Sequence, residues 1–171
     1  MFAFMYFSVM KIAFHTLGCK LNYSETSFIL KDFQNEGMKI TNFFEEADIY
    51  VINTCSVTEN ADKECNQIVK KVKKINPESI VVIMGCYAQL KPEKISKIKG
   101  VNLVIGSNEK FKLKKYIKEY IETKKNIIKV SNIKSIEKFN SAYSSEERTR
   151  SFLKIQDGCN YKCTFCTIPL A

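Results

Sequence analysis

Seven cysteines are the side chains here with most chemistry to offer, and six of them fall into two groups of three. Cys159, Cys163 and Cys166 stand within eight residues at a C-x3-C-x2-C spacing, in the run Ile155-Gln-Asp-Gly-Cys-Asn-Tyr-Lys-Cys-Thr-Phe-Cys166. A 4Fe–4S cube normally takes four cysteines, so three local thiolates leave one iron open for a reactant. Disulfide pairing fits poorly, because the count is odd and nothing in the chain marks secretion. A zinc site would need a fourth ligand, and the only histidine, His15, is remote in sequence. A ferredoxin-type carrier prefers another spacing and a proline after its last cysteine.

Phe165, an aromatic residue, directly precedes the third cysteine. With it the spacing resembles the cluster loop of the radical S-adenosylmethionine (SAM) superfamily, which implies that the open iron chelates the amino acid end of SAM. Upstream, Phe152, Leu153 and Ile155 read as a short buried strand leading into the loop.

The other trio, Cys19, Cys55 and Cys86, is scattered in sequence and needs a fold to gather it. Strands are expected at residues 11–17, 49–53, 79–84 and 101–105, with shorter ones near 38–42 and 127–130. Helices alternate with them. One is expected from Asn22, with Glu25 completing a capping box and Phe28, Ile29, Leu30 and Phe33 inward. A long one capped by Ser56 and Glu59 carries Ala61, Cys65, Ile68, Val72 and Ile75, and Pro77 prevents its continuation. A third lies near 92–99, and a fourth, capped by Ser107, turns Leu113, Ile117, Tyr120 and Ile121 inward.

Such alternation predicts an α/β fold with a parallel, doubly wound sheet of flavodoxin-like or Rossmann-like type. Cys19, Cys55 and Cys86 each follow a predicted strand directly, so all three are expected at one edge of the sheet, where ligand sites form. They are a candidate second three-thiolate site. The competing reading is that small buried cysteines close strands in cores. Cys65 reads as such packing, and His15 as a core or rim histidine.

The formal charge of +9, carried largely by lysine, favours acidic partners such as nucleic acid, with compositional bias and solubility as the competing account. Lys70, Lys71, Lys73 and Lys74 form a run that reads as a solvated helix face, contact with RNA phosphate being the alternative. No nucleic-acid-binding residue is assigned. Seven cysteines without a signal peptide suit a reducing cytoplasm. Residues 1–10 are apolar, but too short to span a membrane and without a basic leader; they read as an extension upstream of a start at Met10.

Four segments, His15-Thr-Leu-Gly-Cys-Lys-Leu-Asn22, Asn53-Thr-Cys-Ser-Val-Thr58, Gly85-Cys-Tyr-Ala-Gln89 and Ile155-Gln-Asp-Gly-Cys159, together resemble the methylthiotransferase family. The resemblance implies an N-terminal domain at 11–130, a linker at 131–149 and the start of a radical SAM barrel at 150–171, so the chain is expected to be an N-terminal fragment unable to turn over by itself. It implies two 4Fe–4S clusters: an auxiliary one on Cys19, Cys55 and Cys86, and a SAM-cleaving one on Cys159, Cys163 and Cys166. The reaction implied is radical methylthiolation at C2 of a modified adenine in a tRNA anticodon loop, a single-stranded site where a base splays out cheaply. Gly-Cys-Lys-Leu-Asn most resembles the branch acting on N6-threonylcarbamoyladenosine; branches acting on isopentenyladenosine or a ribosomal protein are the alternatives. The partners implied are tRNA and a cytoplasmic reducing system, with no membrane. From another class, a non-catalytic iron–sulfur or zinc module stays open.

Overall fold

The computed structural model describes residues 10–55, 61–133, 139–144, 151–161 and 163–170. Residues 1–9, Ser56 and Glu59 lie outside these, and so does much of the expected linker.

Six parallel strands form one sheet: β1 (Lys11–Thr16), β2 (Lys39–Ile40), β3 (Ile49–Thr54), β4 (Ile80–Gly85), β5 (Leu103–Ile105) and β6 (Ile127–Lys129), in the order β2-β1-β3-β4-β5-β6. Every residue of β3 (IYVINT) and β4 (IVVIMG) is buried. Central strands of a parallel sheet are covered on both faces, which is why these runs are continuously apolar instead of alternating. The strand order reverses between β1 and β3, which opens a crevice at their carboxyl ends.

Among the described residues, five α-helices cover the sheet: α1 (Lys20–Asn35), α2 (Ala61–Ile75), α3 (Cys86–Leu90), α4 (Pro92–Ser96) and α5 (Leu113–Thr123). Ile29 and Phe33 of α1 and Leu113, Tyr116 and Ile117 of α5 pack with Ile12, Val51, Val82 and Leu103 on one face. Cys65, Val69 and Val72 of α2 pack with Ala88 and Ile95 against Tyr50, Ile52, Val81 and Ile83 on the other. Cys65 is buried packing, as its helical position predicts.

Several local expectations need correction. Cys19, not Asn22, is the N-cap residue of α1, and no side chain caps that helix. Asn22 and Glu25 are instead buried inside it, and Phe28 is exposed. Ser107 caps no helix either: a 3-10 turn at Glu109–Lys112 leads into α5. Leu153 is 67% exposed and Ile155 82%, so the expected buried strand is absent there. That run makes a single antiparallel bridge, Tyr143 with Leu153, and the residue it turns inward is Lys154. Within the expected linker, Ala142 and Ser144 are buried.

Candidate functional site

β1, β3 and β4 are neighbours in the sheet, and each is followed at its carboxyl end by one of Cys19, Cys55 and Cys86. Adjacent strands lie about 4.8 Å apart, so three such positions share one short edge. Thr54 pairs with Gly85, which sets Cys55 and Cys86 side by side, each one residue beyond the ladder. Cys19 caps α1 and Cys86 opens α3; Cys19 and Cys55 flank the crevice at the order reversal.

The backbone makes room for these side chains. A Cβ on Gly18 would lie 2.3 Å from the Cβ of Cys55 and 2.9 Å from its Sγ, and the φ of +101° there disfavours any other residue. Gly85 has φ +100°, and a Cβ on it would come within 2.5 Å of both the Asn53 Oδ1 and the Thr54 carbonyl. Only glycine fits at either point, so the edge is built to let the Cys55 side chain pass over the β1–α1 turn.

A buried polar net fixes the same edge. Asn22 donates from Nδ2 to the Leu17 carbonyl at 3.0 Å and to the Thr54 carbonyl at 3.1 Å, tying the turns after β1 and β3 together. Asn53 returns two bonds, from Nδ2 to the Asn22 carbonyl and to Thr26 Oγ1. The Leu17 amide donates to the Asn53 carbonyl at 2.8 Å. The site-facing half of α1 therefore buries polar side chains where a packing helix would bury apolar ones.

Beneath that net lies a buried ion cluster. The Glu25 carboxylate accepts from Lys110 Nζ at 2.5 Å and from Lys154 Nζ at 2.9 Å, and all three side chains are at most 5% exposed. Lys154 also pairs with Asp157 at 2.5 Å. Burial pushes the Cys86 thiol up; the Lys110 charge opposes this, Cys55 and Glu25 reinforce it, and the nearby Ser107 hydroxyl favours the thiolate. Sequence patterning missed Glu25, Lys110 and Lys154. One signal was present: Asn22, Glu25 and Thr26 precede Ile29 and Phe33 on a single helical stripe, so polar residues occupy inward positions.

Cys159, Cys163 and Cys166 sit on an open loop. Cys166 donates its amide to the Cys163 carbonyl at 3.1 Å, closing a turn over Thr164 and Phe165. Cys163 is exposed, Cys159 and Cys166 are half-buried, and Phe165 stands almost fully in solvent. The loop follows directly on the Lys154–Asp157 pair. Among the described residues, no three Cys, His, Asp or Glu side chains converge in the geometry of a single metal ion. His15 lies at the rim, stacked on Phe43 with ring centroids 4.7 Å apart, and burial lowers its pKa.

The family described as "Uncharacterized protein family UPF0004" matches residues 11–106. The chain is 42% identical over 165 residues to "Threonylcarbamoyladenosine tRNA methylthiotransferase MtaB" of Aquifex aeolicus, covering 95% of this chain and 40% of that protein. It is 43% identical over 162 residues to the protein of the same name from Bacillus subtilis, covering 94% and 36%. To "Ribosomal protein uS12 methylthiotransferase RimO" of Clostridioides difficile it is 30% identical over 168 residues, covering 94% and 37%. The chain thus spans about two fifths of the length of these relatives or slightly less.

Proposed function

We propose that this chain, which belongs to the UPF0004 family, the N-terminal domain of methylthiotransferases, is the N-terminal part of a cytoplasmic tRNA methylthiotransferase acting at C2 of N6-threonylcarbamoyladenosine beside the anticodon. The reaction is assigned to the whole enzyme. The observation that carries the reading is the gathering of Cys19, Cys55 and Cys86 at one edge of β1, β3 and β4. The names and identities of the Aquifex and Bacillus relatives support the choice of nucleoside. The strand order, that of flavodoxin-like sheets, supports a ligand site at this edge.

The donor set fits an open 4Fe–4S cluster: three thiols, two glycines in whose place a Cβ would collide with the edge, and a lysine charge acting on one thiol. Cys19, Cys55 and Cys86 would hold the auxiliary cluster and Cys159, Cys163 and Cys166 the SAM-binding one. When bound, these clusters supply the reductive cleavage of SAM and the sulfur that is methylated and transferred. The chain's own work is positional. Asn22 and Asn53 lock the turns that carry Cys19 and Cys55. Lys110 favours the thiolate at Cys86 against the effect of burial. Lys154, held by Glu25, anchors the segment leading to Cys159, the start of the radical SAM domain, against α1.

Anaerobic reconstitution of the chain with iron and sulfide tests the cofactor reading. Two four-iron clusters are expected; C19A/C55A/C86A should lose one and Cys65→Ala none. Zinc in place of iron would favour the non-catalytic module. For the substrate, a chimera in which this chain replaces the matching part of the Aquifex relative should yield 2-methylthio-N6-threonylcarbamoyladenosine in tRNA, read by nucleoside mass spectrometry. A methylthio group found only on isopentenyladenosine or on a ribosomal protein would overturn the assignment.

A further inference from the structure

The face covered by α2, α3 and α4 carries a groove of about 800 Å³ that includes no residue of either cysteine trio. Lys70, Lys73 and Lys74 of α2 line one side, and Lys94, Lys97 and Lys99, on and just after α4, line the other. Lys73 is committed to the protein, donating to the Pro77 and Ser79 carbonyls. Lys70, Lys74, Lys97 and Lys99 are exposed, and none pairs with a carboxylate among the described residues. No acidic side chain among the described residues lines the groove. Tyr87, in its wall, has a buried hydroxyl with no hydrogen-bond partner among the described residues.

Like charges crowded around a concavity with no acidic lining among the described residues raise the local potential and concentrate anions there. The shape narrows the anion. The part of α2 that lines the groove, Asn66 to Lys74, rises about 12 Å along a helix that starts near the cysteine edge and runs away from it. One nucleic-acid strand places a phosphate roughly every 3.4 Å of axis, so a groove of that length follows about three to four nucleotides. Lysines bind phosphates as point charges without base readout.

We propose that this groove holds the phosphodiester backbone of the RNA whose base is presented at the cysteine edge, an inference that rests on the tRNA reading above. The test measures binding of the 171-residue chain to an anticodon stem-loop RNA by fluorescence anisotropy across a salt series. K70Q/K74Q/K97Q is compared with K115Q/K124Q/K125Q, exposed lysines on and after α5 on the opposite side. Circular dichroism confirms that both variants are folded.

The groove variant should bind more weakly, and its slope of log K against log salt should fall by about three, close to one for each phosphate left without its lysine. The control should keep the wild-type slope. Equal losses in both variants, no RNA binding by the wild type, or competition by polyglutamate as strong as by RNA of equal charge would each overturn the proposal. An unrelated stem-loop separates this from the tRNA reading. Groove-dependent binding of both RNAs sustains the groove, while the nucleoside analysis of the chimera alone decides the substrate.

Discussion

Replacing Glu25 by Gln should cost this protein a large part of its stability. Glu25 is fully buried and its carboxylate neutralises Lys110 and Lys154, which are also buried. After the change Lys154 keeps Asp157, but Lys110 retains no carboxylate among the described residues. Stranding one buried charge by removing its partner costs roughly 3–5 kcal/mol. Domains are typically stable by only about 5–15 kcal/mol. At this chain length about 2–4 °C of melting temperature goes with each kcal/mol, so Tm should fall by roughly 6–20 °C. Urea and thermal unfolding followed by far-UV circular dichroism at pH 7 measure the loss. The cause is isolated by a second variant, E25Q/K110M, which removes the stranded ammonium and should recover most of the deficit. If E25Q stays within about 1 kcal/mol of wild type, or the double variant is no more stable than E25Q, the buried cluster does not bear on stability as argued.

Three further outcomes follow from the cysteine edge and its surroundings. Asn22→Ala leaves the Leu17 and Thr54 carbonyls short of a donor; it should cost about 1–3 kcal/mol in urea denaturation and lower iron uptake on reconstitution. Gly18→Ala forces a Cβ into Cys55 at a positive φ, at a strain of at least about 1–3 kcal/mol, and iron bound per chain should fall by one cluster, whereas an unchanged iron count would contradict the packing. Stability should also fall on mild acidification. Burial lowers the His15 pKa, with Lys71 assisting and Glu64 opposing, so the folded state favours the neutral ring. That contribution is complete above the ordinary value of 6.5 and is lost as pH drops through the folded value. His15→Phe, which keeps the stack on Phe43, should flatten the dependence of the urea midpoint between about pH 7.5 and 5. Glu109 responds only at lower pH. Burial raises its pKa, but hydrogen bonds from Ser131, Tyr116 and Lys112 outweigh it and hold the carboxyl below its usual 4.5.

The alternation of strands and helices was legible because each central strand is an unbroken apolar run, and only a sheet covered on both faces accepts such runs. Once the strands are parallel, their carboxyl ends share an edge, so the common placement of Cys19, Cys55 and Cys86 followed from position in the sequence alone. The short helix Cys86–Leu90 was not legible, since five residues hold too little of a 3.6-residue period to register. Nor was the role of Asn22 and Glu25. Three-residue spacing after a strand has the form of a capping box, and only the packing of α1 across β1 and β3 turns both side chains inward.

Lys154 shows the same limit most sharply. Side chains of an extended run alternate, so Leu153 and Ile155 share one side and Lys154 takes the other. Periodicity says that they differ in face but not which face is buried; apolar character pointed to Leu153 and Ile155. The sequence by itself determined the sheet, its two helical layers and the edge where six strand ends meet. Tertiary structure decided that a carboxylate on α1 waits at that edge, so an extended run 129 residues later turns its lysine inward and leaves its leucine and isoleucine in water.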